Sequence, residues 1–224
     1  MRSVIILAFV ADPFNSPLLQ TFATTSVQAG ARLICADSGG DTALAWGLIP
    51  DLLVGDMDSI SPNALQTLSA NPAVTVKTSP VEKDETDLEL AILEAIALGT
   101  DELTIVGGVG GRLDHTLGNL YLLAMPQLTQ AGIQARILAE SEEIFVLRPS
   151  DSPLLLNGVT GEVVSLFPFN GEAGQVYTKN LYYPLNRETL FFGPSRGISN
   201  QMTEPQAEIG LESGLLLVIH QFSK

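Results

Sequence analysis

The first 140 residues alternate short apolar runs with segments of helical character. The runs are short and rich in Val, Ile and Leu. They do not alternate apolar with polar residues, which is typical of strands covered on both faces. They are VIILAFV (4–10), RLICA (32–36), LLVG (52–55), VTVK (74–77), LTIV (103–106) and ARILA (135–139). This β–α rhythm predicts an α/β fold with a doubly wound parallel sheet.

Two of the intervening segments have clear helical features. Residues 86–98 place apolar side chains on one face, and Thr86 with Glu89 forms a capping box at the start. A second helix is predicted over residues 115–129, although Pro126 should kink it or end it early.

The pattern changes near residue 140. Gly, Pro and Asn separate short strand-like runs, and no helical period lies between them. The runs are EIFVL, PLLL, EVVSLFPF, QVYT, TLFF and LLLVIHQ. They predict a small antiparallel β-sandwich domain. We therefore expect an α/β domain over residues 1–141 and a β-sandwich domain over residues 142–224.

Charge excludes some partners. Acidic residues outnumber basic ones by 25 to 11, giving a formal net charge of −14. A phosphate backbone or an anionic membrane would be repelled, so we expect neither nucleic-acid nor membrane binding. The same charge suits recruitment of a metal ion or a cationic substrate, although composition by itself favours no more than an acidic surface.

The location predicted for the chain is the cytoplasm. Cys35 is the only cysteine, so no intrachain disulfide can form, which fits a reducing compartment. The N-terminal run VIILAFVA could pass for the core of a signal peptide. However, only Arg2 precedes it and Asp12 and Pro13 follow at once, so we interpret it as a buried strand. No apolar run is long enough to span a bilayer.

Polar residues follow four of the predicted strands. Ligands of open parallel sheets bind beyond the carboxyl ends of the strands, so these residues should lie along one edge. They are Asp37, Asp56, Asp58, Lys83, Asp84, Asp87 and the stretch GGVGGRLD (107–114).

The stretch GDMDS (55–59) predicts a metal site. If Asp56 and Asp58 are extended, their side chains share a face, because strand positions i and i+2 point the same way. Two adjacent carboxylates repel unless a cation lies between them, and Mg²⁺ favours such oxygen ligands. Alone, the pair is more often a solvated turn, and Asp87 alone is a favourable charge in a first helical turn. Their placement at neighbouring strand ends favours the metal site.

The stretch GGVGGR (107–112) predicts an anion site. Glycines between a strand and a helix let backbone N–H groups approach an anion, and Arg112 adds a guanidinium suited to phosphate oxygens. The stretch is neither a Walker A loop nor a full GxGxxG fingerprint, because Leu113 takes the last glycine position. Asp114 could equally cap the following helix. His115 is assigned no role.

The order of these motifs resembles that of the thiamine pyrophosphokinase family. The matching stretches are DSGGD (37–41), GLIPDLLVGDMDSI (47–60), KDETDLELAI (83–92), GGVGGRLDHTLGN (107–119) and GISN (197–200). The resemblance covers most of the chain. It implies transfer of the β,γ-diphosphoryl group of ATP to the hydroxyl of thiamine, giving thiamine diphosphate and AMP. It also implies Mg²⁺, a thiamine-binding β-sandwich domain and a homodimer with shared active sites.

The resemblance assigns roles to individual residues. The catalytic residues it implies are Asp56, Asp58, Asp84, Asp87, Arg112 and Asp114. The metal ligands are Asp56, Asp58 and Asp87. The nucleotide-binding residues are Asp37, Gly108, Gly110, Gly111 and Arg112. The thiamine-binding residues are Tyr183, Ser199 and Asn200. Ser38 and Gly40 depart from the ADGGA stretch common in the family, which leaves the nucleotide contacts of that loop open.

Two other functions stay open. A pyrophosphokinase acting on a hydroxymethylpterin would use the same ATP and Mg²⁺ chemistry, but an uncharged pterin gives less reason for an acidic site. A non-catalytic binder of thiamine or nucleotide is the other, although binding alone does not need so many clustered carboxylates. The sequence does not show which carboxylate, if any, accepts the hydroxyl proton.

Overall fold

The computed structural model describes the backbone of residues 2–6 and the whole of residues 10 and 12–223. The chain divides into two compact units, Met1–Glu140 and Ser141–Lys224. The division lies next to the predicted boundary between residues 141 and 142.

The first unit contains a six-stranded parallel sheet. Its strands are β1 (Arg2–Ile6), β2 (Arg32–Ala36), β3 (Leu52–Gly55), β4 (Thr75–Thr78), β5 (Glu102–Val106) and β6 (Gln134–Leu138). They lie in the order β6-β5-β1-β2-β3-β4, and every neighbouring pair is parallel. The predicted doubly wound α/β fold is confirmed. Of the first predicted strand, residues 7–9 lie outside the described residues.

Burial explains the central strands but not β4. Leu33 and Ile34 of β2, Leu53 of β3 and Ile105 of β5 are fully buried, as expected for strands covered on both faces. The expectation of burial is wrong for β4, where three of four residues are exposed. Among the described strands, β4 lies at the edge of the sheet and pairs with β3 on one side only. Its other side is therefore not covered by a neighbouring strand.

The described residues of the same unit form six α-helices. They are α1 (Pro17–Gln28), α2 (Gly39–Ala45), α3 (Pro62–Ser69), α4 (Asp87–Ala97), α5 (Leu113–Leu122) and α6 (Pro126–Gln130). The cap predicted for α4 is present, since Thr86 Oγ1 accepts the N–H of Glu89 at 3.2 Å. The helix predicted over 115–129 is two helices. Pro126 starts α6, where its missing N–H leaves no hydrogen bond unmade.

The second unit is a sandwich of two antiparallel sheets. Its strands are β7 (Glu142–Leu147), β8 (Leu154–Asn157), β9 (Val163–Pro168), β10 (Ala173–Lys179), β11 (Glu188–Leu190), β12 (Asn200–Gln201), β13 (Gln206–Gly210) and β14 (Leu216–Gln221). One sheet has the order β12-β9-β14-β7 and the other β11-β10-β13-β8. Side chains from both sheets form one buried cluster, including Val164, Val176, Ile209 and Val218. The predicted β-sandwich is confirmed.

Two details of this unit differ from the prediction. Strand β13 was not predicted, because Ala207 and Ile209 are the only apolar side chains in QAEIG and they alternate with polar ones. The run TLFF was predicted as strand, but β11 ends at Leu190, and Phe191 and Phe192 beyond it are exposed. Among the described residues, no helix has the length and apolar character needed to cross a membrane.

A buried ionic cluster ties together three segments of the sandwich. His220 of β14 is fully buried, with Nδ1 3.1 Å from Glu143 Oε1 and Nε2 3.0 Å from Glu162 Oε2. Glu162 also accepts the N–H of Val159 and the N–H of Ser223, each at 2.8 Å. Burial acts to lower the pKa of His220, but the two carboxylates outweigh it, and the net pKa is raised. The cluster therefore favours a charged imidazolium.

This cluster predicts how stability depends on pH. A histidine whose folded-state pKa exceeds its unfolded value of about 6.5 stabilises fully below that value. The stabilisation is lost as pH rises through the folded pKa. We expect the free energy of unfolding of the second unit to fall above about pH 6.5, and His220→Gln to remove that slope. Urea unfolding between pH 6 and 9 measures it. His115→Gln, in the other unit, is the control, and a slope that survives in His220→Gln would contradict the assignment.

Candidate active site

A cleft of about 640 Å³ opens at the carboxyl ends of the parallel strands in the first unit. It is lined by Asp37 after β2, Asp56 after β3, Lys83 between β4 and α4, Asp87 at the start of α4, and four residues after β5, which are Gly108, Gly110, Gly111 and Arg112. Strands β2 to β4 lie on one side of β1, and β5 and β6 lie on the other. The cleft therefore lies where the strand order reverses, which is the usual ligand site of such sheets.

The GDMDS stretch is a turn. Strand β3 ends at Gly55, and Asp56 Oδ1 accepts the N–H of Asp58 at 3.1 Å. Met57 between them has a left-handed φ of 65°. The expectation that Asp56 and Asp58 share a face of an extended strand is therefore wrong. An aspartate side chain that bonds the backbone two residues on stabilises a turn instead, and this turn brings the two carboxylates together.

Asp37 holds the far end of the same turn. Its side chain is 2% exposed, and it accepts the N–H groups of Ser59 at 3.2 Å and Ile60 at 3.1 Å. Burial raises the pKa of Asp37, and these hydrogen bonds oppose the rise. Carboxylate oxygens of Asp37, Asp56 and Asp58 all lie within 4.8 Å of one another. The structure thus adds Asp37 to the predicted pair.

These three carboxylates fit a small divalent ion. All donors are hard oxygens, and Mg²⁺ takes such ligands at about 2.0–2.1 Å while keeping waters or phosphate oxygens in other positions. Asp37 is buried, Asp56 is half-buried and Asp58 is exposed. The group is thus open on one side. Asp37 joins the pair because it follows β2, the strand that pairs with β3, and this pairing is known only from the structure.

The third predicted ligand, Asp87, contacts a lysine. Lys83 Nζ lies 2.7 Å from Asp87 Oδ1, 2.9 Å from Ser79 Oγ and 3.5 Å from Asp56 Oδ2. Burial acts to lower the pKa of Lys83, but the two carboxylates give a net rise. Burial likewise acts to raise the pKa of Asp56, but the Asp58 N–H and Lys83 give a net fall. Asp84, predicted as catalytic, is exposed in the same connection.

Gly55 allows these groups to meet. Its φ is 147°, and a Cβ added there would lie 3.1 Å from Asp37 Cβ and 3.2 Å from Asp87 Oδ1. A side chain at this position would push one carboxylate away. Glycine is therefore required by the close approach of β3 to both aspartates.

We expect Gly55→Ala to weaken binding of Mn²⁺, used as a probe for the site, by about 10- to 100-fold. A loss of about this size typically follows when the groups that orient metal ligands are disturbed. Gly99→Ala is a matched control, since Gly99 also has a positive φ of 74° but an added Cβ meets nothing within 4 Å. Both variants should lose about 1–2 kcal/mol of stability from left-handed strain. Titration followed by electron paramagnetic resonance measures the affinity. Equal Mn²⁺ affinities in the two variants would contradict the packing argument.

The glycine loop after β5 is fixed by the helix that follows it. Thr116 Oγ1 accepts the N–H of Gly110 at 3.1 Å, and Asn119 Nδ2 donates to the carbonyl of Gly108 at 2.8 Å. Gly108, Gly110 and Gly111, which were predicted to bind nucleotide, line the cleft. The N–H of Gly110, however, already has an acceptor in Thr116.

Arg112 and Asp114 form a bidentate ion pair at the entrance to α5. Arg112 Nε lies 3.2 Å from Asp114 Oδ1 and Nη2 lies 2.7 Å from Oδ2. Hydrogen bonding from Arg112 lowers the pKa of Asp114 to about 2. Both side chains are largely exposed. Asp114 thus holds the guanidinium, and Arg112 lines the cleft.

In the second unit, Asn200 supports Tyr183. Asn200 is buried, and its Oδ1 accepts the N–H of Tyr183 at 2.9 Å while its Nδ2 donates to the carbonyl of Tyr183 at 2.7 Å. The ring of Tyr183 is 66% exposed and meets Tyr182 edge to face at 4.8 Å. Ser199 is exposed, with its N–H donated to Ser165 Oγ at 3.0 Å. The three predicted thiamine-binding residues therefore lie together, and Tyr182 was not predicted to join them.

Two family models match the chain, one in each unit. A family model described as the catalytic domain of thiamin pyrophosphokinase matches residues 25–135, and one described as its vitamin B1 binding domain matches residues 152–216. Thiamine pyrophosphokinase of Bacillus subtilis (strain 168) is 31% identical over 187 residues, covering 83% of this chain and 85% of that protein. Thiamine pyrophosphokinase 1 of Oryza sativa subsp. japonica is 27% identical over 178 residues, covering 76% and 66%.

Solved structures extend the likeness to the whole chain. The crystal structure of thiamine pyrophosphokinase from Bacillus subtilis superposes with a TM-score of 0.85 at 28% identity, covering 100% of both chains. That of thiamin pyrophosphokinase from Geobacillus thermodenitrificans gives 0.82 at 23% identity, covering 100% of this chain and 99% of the other, and shows the shared fold. The models of both family domains match the chain in order, and a relative that is 31% identical spans most of both chains. The chain therefore belongs to the thiamin pyrophosphokinase family.

Proposed function

We propose that the protein transfers the β,γ-diphosphoryl group of ATP to the hydroxyl of thiamine, releasing AMP and thiamine diphosphate. The observation that carries this proposal is the cluster of Asp37, Asp56 and Asp58. Two of its members, Asp37 and Asp56, line one cleft together with Gly108, Gly110, Gly111 and Arg112. Clustered carboxylates and a glycine loop with an arginine are the groups that a metal-bound polyphosphate requires. Family membership supplies the identity of the donor and the acceptor.

The donor phosphates would lie between residues 108–112 and the carboxylate cluster. Catalysis of phosphoryl transfer consists largely of positioning and charge neutralisation. Arg112 presents a planar fork that matches two phosphate oxygens, and Asp114 keeps that fork oriented. The proposed catalytic residues are Asp56, Asp58, Asp84, Asp87, Arg112 and Asp114. Of these, Asp84 and Asp114 act through charge and orientation.

Mg²⁺ would be held by Asp56 and Asp58, with Asp37 as a third oxygen donor. When bound, it supplies charge neutralisation across the phosphate oxygens. Asp87 accepts a hydrogen bond from Lys83 in the acidic part of the cleft, and it stays a candidate metal ligand. The protein's own part is to hold these carboxylates at the end of β3 and β2 by the hydrogen bonds of the turn.

The acceptor would bind at Tyr183 and Ser199. Thiamine carries a thiazolium cation, which the exposed face of a tyrosine ring attracts. Asn200 keeps Tyr183 in place through two hydrogen bonds. Because donor and acceptor must come within a few ångströms, we propose a homodimer in which the second unit of one subunit serves the cleft of its partner. Location in the cytoplasm stays a prediction.

One assay separates the three functions. The purified protein is incubated with ATP, Mg²⁺ and either thiamine, a hydroxymethylpterin or no acceptor, and AMP is measured. AMP that forms with thiamine alone supports the proposal. AMP with the pterin alone would favour a pterin pyrophosphokinase, and thiamine binding without AMP would favour a non-catalytic binder. A parallel preparation of Asp58→Asn controls for contaminating activity.

A further inference from the structure

Lys83 lies among the acidic residues of the cleft, and the function proposed above assigns it no role. Its side chain is 11% exposed. Its ammonium donates to Asp87 at 2.7 Å and to Ser79 at 2.9 Å, and it lies 3.5 Å from Asp56. Lys83 therefore contacts Asp56, which belongs to the cluster of three carboxylates, and Asp87, which does not.

Asp56 is the point where two cations would meet. Its Oδ1 accepts the N–H of Asp58, and its Oδ2 faces Lys83. The same carboxylate belongs to the group of three that fits a divalent ion. An ammonium and a divalent ion beside one carboxylate repel each other, so each weakens the hold of the other. Occupancy of the metal site and the position of Lys83 are thereby coupled.

A second partner for the Lys83 ammonium is available in the same cleft. It lines the same cleft as Gly108, Gly111 and Arg112. A lysine carries its charge on a flexible four-carbon stem, so its head can move between partners without movement of the backbone. Phosphate oxygens of a bound donor are the natural partner for an ammonium released from a carboxylate.

We propose that Lys83 is an exchangeable counter-ion: it neutralises Asp56 and Asp87 while the metal site is empty, and moves to a donor phosphate oxygen when a divalent ion binds. This inference rests on the proposed function for the identity of the donor. It makes Lys83 a positioning residue in the free protein and a phosphate contact in the complex. Divalent ion and donor would then bind cooperatively, since the ion releases the ammonium that the phosphate receives.

Removing the ammonium should have opposite effects on the two ligands. Lys83→Gln should bind Mn²⁺ about tenfold more tightly in the absence of nucleotide, because a nearby positive charge is gone. At saturating Mg²⁺ the same variant should bind α,β-methylene-ATP, an analogue that resists transfer, about tenfold more weakly, because a charged hydrogen bond is lost. Calorimetric titration measures both affinities.

A matched control exists in the same unit. Lys77 pairs with Glu94 at 2.6 Å and is 52% exposed, outside the cleft lining. Lys77→Gln makes the same charge change and should leave both affinities within about twofold of wild type, since exposed charges are screened by salt. Lys83→Arg keeps the charge and should keep the wild-type Mn²⁺ affinity.

The two titrations distinguish exchange of Lys83 from a purely structural role. Tighter Mn²⁺ with weaker analogue in Lys83→Gln, against unchanged Lys77→Gln, supports the exchange. Unchanged or weaker Mn²⁺ binding would overturn it and leave Lys83 as a structural partner of Asp87. If Lys83→Gln is unstable in chelator, added Mg²⁺ should restore its melting temperature to the wild-type value, and failure to do so would also overturn the exchange. Neither titration contains thiamine, so the inference can stand or fall independently of the acceptor assay.

Discussion

Asp58→Asn should lower diphosphoryl transfer by at least about a hundredfold, because even groups one shell beyond a metal reduce activity 10- to 100-fold when changed. Asparagine keeps the size of the side chain and can still accept the hydroxyl of Ser59, which lies 2.8 Å from Asp58 Oδ1. It removes one negative charge from a group whose oxygens lie within 4.8 Å. The melting temperature should therefore stay the same or rise while activity falls.

Steady-state AMP release at limiting Mg²⁺, together with thermal unfolding, measures both effects. Glu82→Gln is the matched control, because Glu82 is an exposed carboxylate close in sequence to Lys83 that does not line the cleft. It should retain wild-type turnover. Near-normal turnover of Asp58→Asn at limiting Mg²⁺ would exclude Asp58 from the metal site.

Two individually inactive variants should restore activity when they are combined in one dimer. Asp58→Asn damages the donor cleft, and Tyr183→Ala damages the acceptor side, so each homodimer should be nearly inactive at low thiamine. If the sites are shared across a two-fold axis, a mixed dimer collects both lesions in one site and leaves the other whole. Random pairing makes half of the dimers mixed, so about a quarter of wild-type activity should return.

The mixture is made by unfolding and refolding the two variants together, and native mass spectrometry counts the mixed dimers. Each variant unfolded and refolded alone provides the control, because every site of its homodimer carries the same lesion and no site can become whole. Mixed dimers without recovered activity would show that each site belongs to a single chain.

The parallel sheet could be predicted because its signal is local. Runs such as RLICA and LLVG consist mostly of apolar residues that suit a buried strand, and the structure places strands at those positions. Polar residues at their carboxyl ends then had to meet at one edge. That reasoning placed Asp56 and Asp58 near Asp37, but strand adjacency had to be known before Asp37 could join them.

Features that depend on side-chain hydrogen bonds were not predictable in the same way. The Asp56 turn arises from one contact to the N–H of Asp58, which competes with an extended strand. The support of Tyr183 by Asn200 joins residues 17 positions apart, and no local pattern signals it. Lys83 was visible as part of a motif, yet its place between Asp56 and Asp87 depends on how β3 and α4 meet.

In the proposed reaction two phosphates move together from ATP to thiamine. ATP labelled separately at the β- and γ-phosphorus is mixed with excess enzyme, thiamine and Mg²⁺, and products of a single turnover are separated. We expect thiamine diphosphate carrying both labels, with one AMP released for each molecule formed. Thiamine monophosphate carrying only the γ label, with ADP as the second product, would contradict it.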